Sequence, residues 1–250
     1  MTIVRLLYLI SNAVSVASPR AAPSKVRWYS GLELPAHPSF EGLLTERLGE
    51  TWGAILNDDS APPIKNCKDL LAVRKMDVKH LSPDDSAGAW YSLQTDAVRC
   101  FALDILRTAK PASKSYLGWF KFSRAGILSL PAGLTPSLLE DETRRVAKAT
   151  ADCTSLGKYD RHLMVEIDSD YKQADLTGDG WNGHILLYAR GDLNGDGIED
   201  LLLERDAAVL ADDIDFAHAT QELFIITQTS AKACPQIFWS LPNWRRQTHQ

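Results

Sequence analysis

Asp192-Leu193-Asn194-Gly195-Asp196-Gly197-Ile198-Glu199-Asp200-Leu201-Leu202-Leu203 sets an oxygen ligand at every second position around two glycines and then runs straight into three leucines. Asp192, Asn194, Asp196 and Asp200 hold the first, third, fifth and ninth places of a Ca²⁺ loop, and the backbone carbonyl of Ile198 holds the seventh. A hard cation of this kind takes roughly six to eight oxygens at about 2.3–2.6 Å, which a short chain can supply only by turning sharply. Gly197 permits that turn, because without a Cβ its backbone enters positive φ at little cost. An EF-hand would place a bidentate Glu at the twelfth position, which here is Leu203. Leu201, Leu202 and Leu203 instead read as the start of a buried strand.

The phrase occurs twice. Asp175-Leu-Thr177-Gly-Asp179-Gly-Trp181-Asn-Gly183 aligns with Asp192 to Asp200, and the apolar residues that follow (Ile185 and Leu186 against Leu202 and Leu203) align as well. In the first copy Gly183 replaces Asp200 and Thr177 replaces Asn194, so Asp175, Thr177 and Asp179 form a poorer ligand set. That copy reads either as a weaker metal site or as an Asp/Gly turn, which uses the same residues for its own backbone chemistry. The pattern D-x-[DN]-x-D-G-x-x-D leading into a strand resembles the Ca²⁺ loops of FG-GAP and VCBS-type repeats, including those on integrin β-propellers. The resemblance is local to residues 175–203 and implies a metal loop, not a propeller, for which two copies are too few.

Outward from the repeat, the chain reads as exported. A short basic start at Arg5, an apolar stretch from Leu6 to Ala17 and Pro19 beyond it give residues 1–18 the form of a signal peptide. The stretch is too short for a membrane span, and no other run approaches the length one needs. Four cysteines, Cys67, Cys100, Cys153 and Cys234, show no C-x-x-C spacing, which speaks against zinc and redox motifs. In an oxidising compartment they can pair in any of three ways, or some can stay as buried thiols; pairing Cys67 with Cys100 and Cys153 with Cys234 is preferred, since each bridge then staples one half of the chain. A periplasmic or secreted location follows. Net charge of −5, a pI of 5.7 and the lack of a basic stripe exclude nucleic acid as an expected partner.

Periodicity divides the remainder, residues 19–250, into a helix-rich part (19–152) and a strand-rich part (153–250), within one α+β domain. Phe40, Leu43, Leu44, Leu48, Trp52, Ile55 and Leu56 recur at helical spacing and predict a helix over Ser39 to Asn57. Asn66 to Lys79 suggests a second, and Ser82-Pro83-Asp84-Asp85 opens a third that ends near Ala109, with Gly88 as a candidate break. Leu117–Phe122 and Ile127–Leu130 suggest a hairpin. Thr135-Pro136 starts a helix reaching Asp152, with Leu138, Leu139, Val146 and Ala149 inward. Strands are predicted at Leu163–Ile167, His184–Ala189, Asp200–Leu203, Leu223–Thr227 and Ile237–Trp239.

Enzyme signatures are sparse: there is no nucleophile elbow, zinc helix or phosphate loop. His218 and Glu222 stand four apart, a spacing with little specificity. Glu166, Asp168 and Asp170 alternate along a strand and so share a face; they are either solvated or, in an alternative reading as a calcium-stabilised hydrolase of glycan or peptide, the acid/base carboxylates. Asp212, Asp213 and Asp215 read as a soluble loop. The segment Ser155-Leu-Gly157-Lys-Tyr159-Asp-Arg161-His162 loosely resembles the S-G-x-Y loop of bacterial periplasmic lysozyme inhibitors, with Gly157 and Tyr159 matching and Leu156 standing where the motif has Ser. The resemblance implies partner contacts from Tyr159 and Arg161, residue types that anchor protein interfaces. The expected function is a Ca²⁺-binding exported protein that binds another protein, in its most concrete form an inhibitor or immunity factor against a cell-wall hydrolase.

Overall fold

The structure is a computed structural model that describes residues 26–28, 40–56, 63–73, 78–82, 87–137, 140–168, 170, 172–209 and 219–241. In it Leu201, Leu202 and Leu203 are all wholly buried. A strand with successive side chains pointing to opposite faces can bury three in a row only if both faces of its sheet are covered. They are. The sheet runs in the order β10 (Gln236–Ser240), β9 (Ala219–Thr227), β8 (Asp200–Val209), β7 (Trp181–Gly191), β6 (Gln173–Gly178) and β5 (Met164–Asp168), all antiparallel. A short β1 (Arg27–Trp28) pairs with the end of β7 beyond the reach of β6.

One face of this sheet carries Leu202, Leu223, Ile225, Tyr188 and Ala189 against α1 (Phe40–Thr45), α2 (Cys67–Val73) and α3 (Ala87–Thr108). The other carries Ile185, Leu187, Leu201, Leu203, Phe224 and Ile226 against Leu117, Phe120, Leu130 and Leu134, and against Ile127 of α4 (Arg124–Leu128) and Leu156 of α6 (Leu156–Tyr159). A register shift between Leu187 and Ala189 puts both Tyr188 and Ala189 on the α3 side. The architecture is mixed α+β, with most helices before the main sheet, as the sequence predicts. A second, three-stranded sheet in the order β3 (Ile64–Asn66), β2 (Arg47–Leu56) and β4 (Val78–Ser82) lies among the first helices.

Several local expectations are overturned. The helix expected over Ser39–Asn57 stops at Thr45, and Arg47–Leu56 is a strand hydrogen-bonded on both sides. Gly49 and Gly53 weaken a helix there by about 1 kcal/mol each, and pairing with β3 and β4 decides the matter. The second expected helix is described over Cys67–Val73, and strand β4 takes Val78–Ser82, with residues 74–77 outside the described residues. The third runs through Gly88 without a break. Instead of a hairpin at 117–130 there is a loop that buries Leu117 and Phe120, followed by α4, whose Ser123 cap accepts a hydrogen bond from Gly126 N at 3.3 Å. Gly126 is required there, since a Cβ would sit 1.9 Å from the Lys121 carbonyl. The helix expected from Thr135 is α5 (Glu140–Ala151), with Val146 buried. Leu138, Leu139, residues 1–18, Pro83–Asp85, the acidic cluster at 212–215 and His218 lie outside the described residues. Glu222, proposed to share a helical face with His218, sits in strand β9 and ion-pairs with Arg205.

Both preferred disulfides form. Cys67–Cys100 ties α2 to α3, and Cys153–Cys234 ties the end of α5 to the β9–β10 loop. Cys153 takes φ of +58°, the left-handed position that ends many helices and that glycine usually fills. The flanking bonds, Thr154 N to Ala149 O at 2.8 Å and Cys153 N to Thr150 O at 3.1 Å, complete that helix stop. Among the described residues no helix is long and apolar enough to cross a membrane. Replacing Cys153 and Cys234 together by Ser is expected to cost about 4.5 kcal/mol in denaturant unfolding, the loop-entropy figure for a bridge of this span. Alkylation of the unreduced protein is expected to label no thiol.

Candidate functional site

The loop between β7 and β8 is a chain of short side-chain caps. Asp192 Oδ1 and Oδ2 accept from Gly195 N at 2.7 Å and Gly197 N at 3.0 Å. Asn194 Oδ1 accepts from Asp196 N at 2.9 Å, and Asp196 Oδ1 from Ile198 N at 2.8 Å. Asp200 Oδ2 reaches back to Leu193 N at 3.0 Å, so the ninth position closes on the second. Gly195 and Gly197 have φ of +87° and +81°, the backbone state the sequence assigned to the turn. Asp192 and Asp200 are buried while Asp196 is exposed, so the loop opens to solvent on one side.

Asp200 is electrostatically unsatisfied. It is fully buried, its Oδ2 is capped by the Leu193 amide, and the neutral Thr227 hydroxyl lies beside the carboxyl. Burial pushes its carboxyl up to about 6; the Thr227 hydroxyl and the Leu193 amide pull the other way, and Asp196 and Asp192 add to the rise. Among the described residues no cationic side chain contributes. The expected ligands thus do share one loop, but among the described residues no three His, Cys, Asp or Glu side chains converge on one point, because the carboxylates face backbone amides.

A latch holds the loop from outside. Lys110 exchanges two backbone hydrogen bonds with Asp192, each 2.9 Å, and Ser113 N and Oγ both donate to the Gly197 carbonyl. Glu199, 6% exposed, accepts from Ser115 Oγ at 2.6 Å and from Arg190 Nη2 at 2.9 Å. Arg190 also donates to the Leu117 and Phe120 carbonyls, so the loop is tied to the segment leading into α4. Apart from the Arg190–Glu199 pair, none of this was visible in the sequence, since the contacts join residues 70 to 84 positions apart.

The first copy of the repeat is built differently. Asp175 and Thr177 lie exposed along β6, and only Asp179-Gly180 turns, as a two-residue hairpin with Gly180 at φ of +76°. Asp175 Oδ1 accepts from Gln173 Nε2 at 2.7 Å. Asp175, Thr177 and Asp179 are therefore strung out along a strand and its turn and do not encircle a common point. What the copies share is a turn that feeds a strand, β7 in one case and β8 in the other.

Tyr159 and Arg161 border an open groove of about 480 Å³ with Thr135, Glu142, Arg145, His162, Asp179 and Trp181. Tyr159 is half-buried and Arg161 exposed, whereas Leu156 is wholly buried and Gly157 packs against Leu128. The segment is thus one helical turn set against the core, with only its end presented to solvent. Glu166 and Asp168 are exposed on the edge strand β5, and Asp170 is exposed just beyond it. They take no part in the groove around Tyr159.

A scan against protein-family models and searches of curated proteins and of solved structures find no match to this chain. Truncating the latch is expected to loosen the loop even without metal. Glu199→Ala strands the largely buried Arg190 and is expected to cost about 3 kcal/mol in denaturant unfolding, with Glu199→Gln, which keeps acceptors for Ser115 and Arg190, losing less.

Proposed function

We propose that this chain is an exported protein whose 192–200 loop binds Ca²⁺ and whose groove around Tyr159 and Arg161 binds another protein, a cell-wall hydrolase being the most concrete partner. The observation that carries the metal reading is Asp200, a buried carboxylate met by the neutral Thr227 hydroxyl and Leu193 amide, with two further carboxylates raising its energy and, among the described residues, no cation offsetting them. A buried anion without a counter-charge is costly, and a divalent cation removes the cost. The donor set fits: Asp192, Asn194, Asp196 and Asp200 and the Ile198 carbonyl offer only hard oxygens, each capping oxygen retains a free lone pair, and the latch takes the Gly197 carbonyl, not that of Ile198. The loop's resemblance to FG-GAP and VCBS-type repeats supports the same reading. Asp175, Thr177 and Asp179 are left out of the proposed site, because they lie along a strand.

The two disulfides support an oxidising compartment, periplasmic or extracellular. The partner reading rests on the groove. Its wall mixes Arg145, Arg161 and His162 with Glu142, Asp160 and Asp179 around Tyr159 and Trp181, a composition suited to a polar protein surface.

Calcium is expected to raise the melting temperature of the mature protein. Millimolar Ca²⁺ on a site of roughly 10⁻⁵ M adds about 2.7 kcal/mol, and less on a site in the 10⁻⁴–10⁻³ M range of extracellular modules. Asp196→Ala is expected to remove most of the gain, and equal melting temperatures in EDTA and excess Ca²⁺ would refute the metal reading. For the groove, a pull-down from envelope extract with and without Ca²⁺ supplies the partner. Tyr159→Ala is then expected to weaken binding by about 2 kcal/mol while the calcium-dependent melting shift stays intact. Wild-type affinity in that variant would remove the groove from the interface.

A further inference from the structure

β8 carries three charged residues, Glu204, Arg205 and Asp206, directly after its leucines, in a strand covered on both faces. Arg205 turns toward α5, ion-pairs with Glu222, donates from Nη1 to the Leu134 carbonyl at 2.8 Å and lies over the Phe224 ring. Glu204 and Asp206 turn the other way, under α3. Asp206 is half-buried and accepts from the Tyr91 hydroxyl of α3 at 2.5 Å and from Gln221 Nε2 of β9 at 3.4 Å. Gln94 of α3 completes this junction by accepting from Gln221 N at 3.2 Å.

Glu204 is in a different position. It is 5% exposed, its ladder neighbours are Leu186 on β7 and Leu223 on β9, and its hydrogen-bond donor is the Tyr188 hydroxyl. The other titratable groups around it are Asp206 two residues on, Tyr91 and Arg99 on α3, and His184 on β7, which stands opposite Asp206. Arg99 is engaged elsewhere, with Glu46 at 2.9 Å. Among the described residues no cation pairs with Glu204, and its pocket is sealed from the solvent that could admit one.

We propose that Glu204 and Tyr188 form a pH-sensitive lock between the helical layer and the sheet, closed while the Glu204 carboxyl is neutral and loosened when it ionises. A neutral carboxyl satisfied by a tyrosine sits easily among leucines, whereas a carboxylate there must be either solvated or expelled. The cheapest way to solvate it is to lift α3, which covers it. Burial first, and then Asp206, raise the Glu204 carboxyl to about 7, the Tyr188 hydrogen bond opposing them. The native state therefore keeps its proton up to about pH 7, while an exposed Glu releases one near 4.5. The stabilisation is complete below the lower value, is lost as pH rises through the higher one, and then levels off. The lock is independent of the calcium reading.

Hydrogen exchange of the α3 amides, corrected for intrinsic rates and compared with those of β6, tests this in EDTA. Between about pH 5.5 and about pH 8 the protection of α3 is expected to fall by at least roughly tenfold relative to β6 in the wild type, and not in Glu204→Gln. Tyr188→Phe, which removes the donor that favours the anion, is expected to move the transition to higher pH. Asp206→Asn, which removes the adjacent charge, is expected to move it to lower pH. The same loss of α3 protection in Glu204→Gln, or transitions that stay fixed in the other two variants, would overturn the proposal.

Discussion

The β7–β8 hairpin is the member on which the other layers depend. Its two strands pair from Trp181↔Val209 to Gly191↔Asp200, and the apolar side chains from Ile185 to Ala189 and from Leu201 to Leu203 face one or other of the two cores. Side chains alternate in strands, so a slip of one residue in this pairing would exchange the cores and put Glu204 where Leu203 belongs. The eight residues that join the strands therefore set more than a turn. Asp192 and Asp200 fix both ends of that connection through backbone amides, and the latch from Lys110 to Ser115 clamps it against the end of α3.

A strand covered on both sides has to dispose of its charges. Arg205 is neutralised by Glu222 and Arg190 by Glu199, both largely buried. Asp206 is satisfied by neutral donors from α3 and β9. Among the described residues Asp200 and Glu204 have no cationic partner, and both are held above the ordinary carboxylate range, at about 6 and about 7. Their surroundings differ in one respect that matters. Asp200 belongs to a loop open on one side and ringed with further oxygens, which suits a metal ion; Glu204 lies under a helix among leucines, where only a proton fits. The proposed calcium site and the proposed lock are two answers to the same electrostatic problem, four residues apart on one strand.

The sequence by itself determined five strands of the main sheet, β5 and β7 to β10, the α3 helix, the α+β class and the turn of the 192–200 loop, but not β1 or β6. Each is written in a short window: a leucine run, a 3.6-residue period, or oxygen-bearing residues alternating around glycines. The disulfide pairing was reachable by the same logic, since each bridge joins sites within its own half. Tertiary structure alone decided the rest. Residues 47–56 carry helical spacing yet form a strand, because pairing with β3 and β4 outweighs a weak local preference. The two Asp/Gly phrases look alike but differ in shape: in one, Asp175 and Thr177 are drawn into a sheet by β5 and β7, and in the other a latch from a distant segment holds the loop off the sheet. Glu204 gave no signal at all in one dimension, because a carboxyl becomes unusual only when a helix from a hundred residues away closes over it and excludes both water and cations.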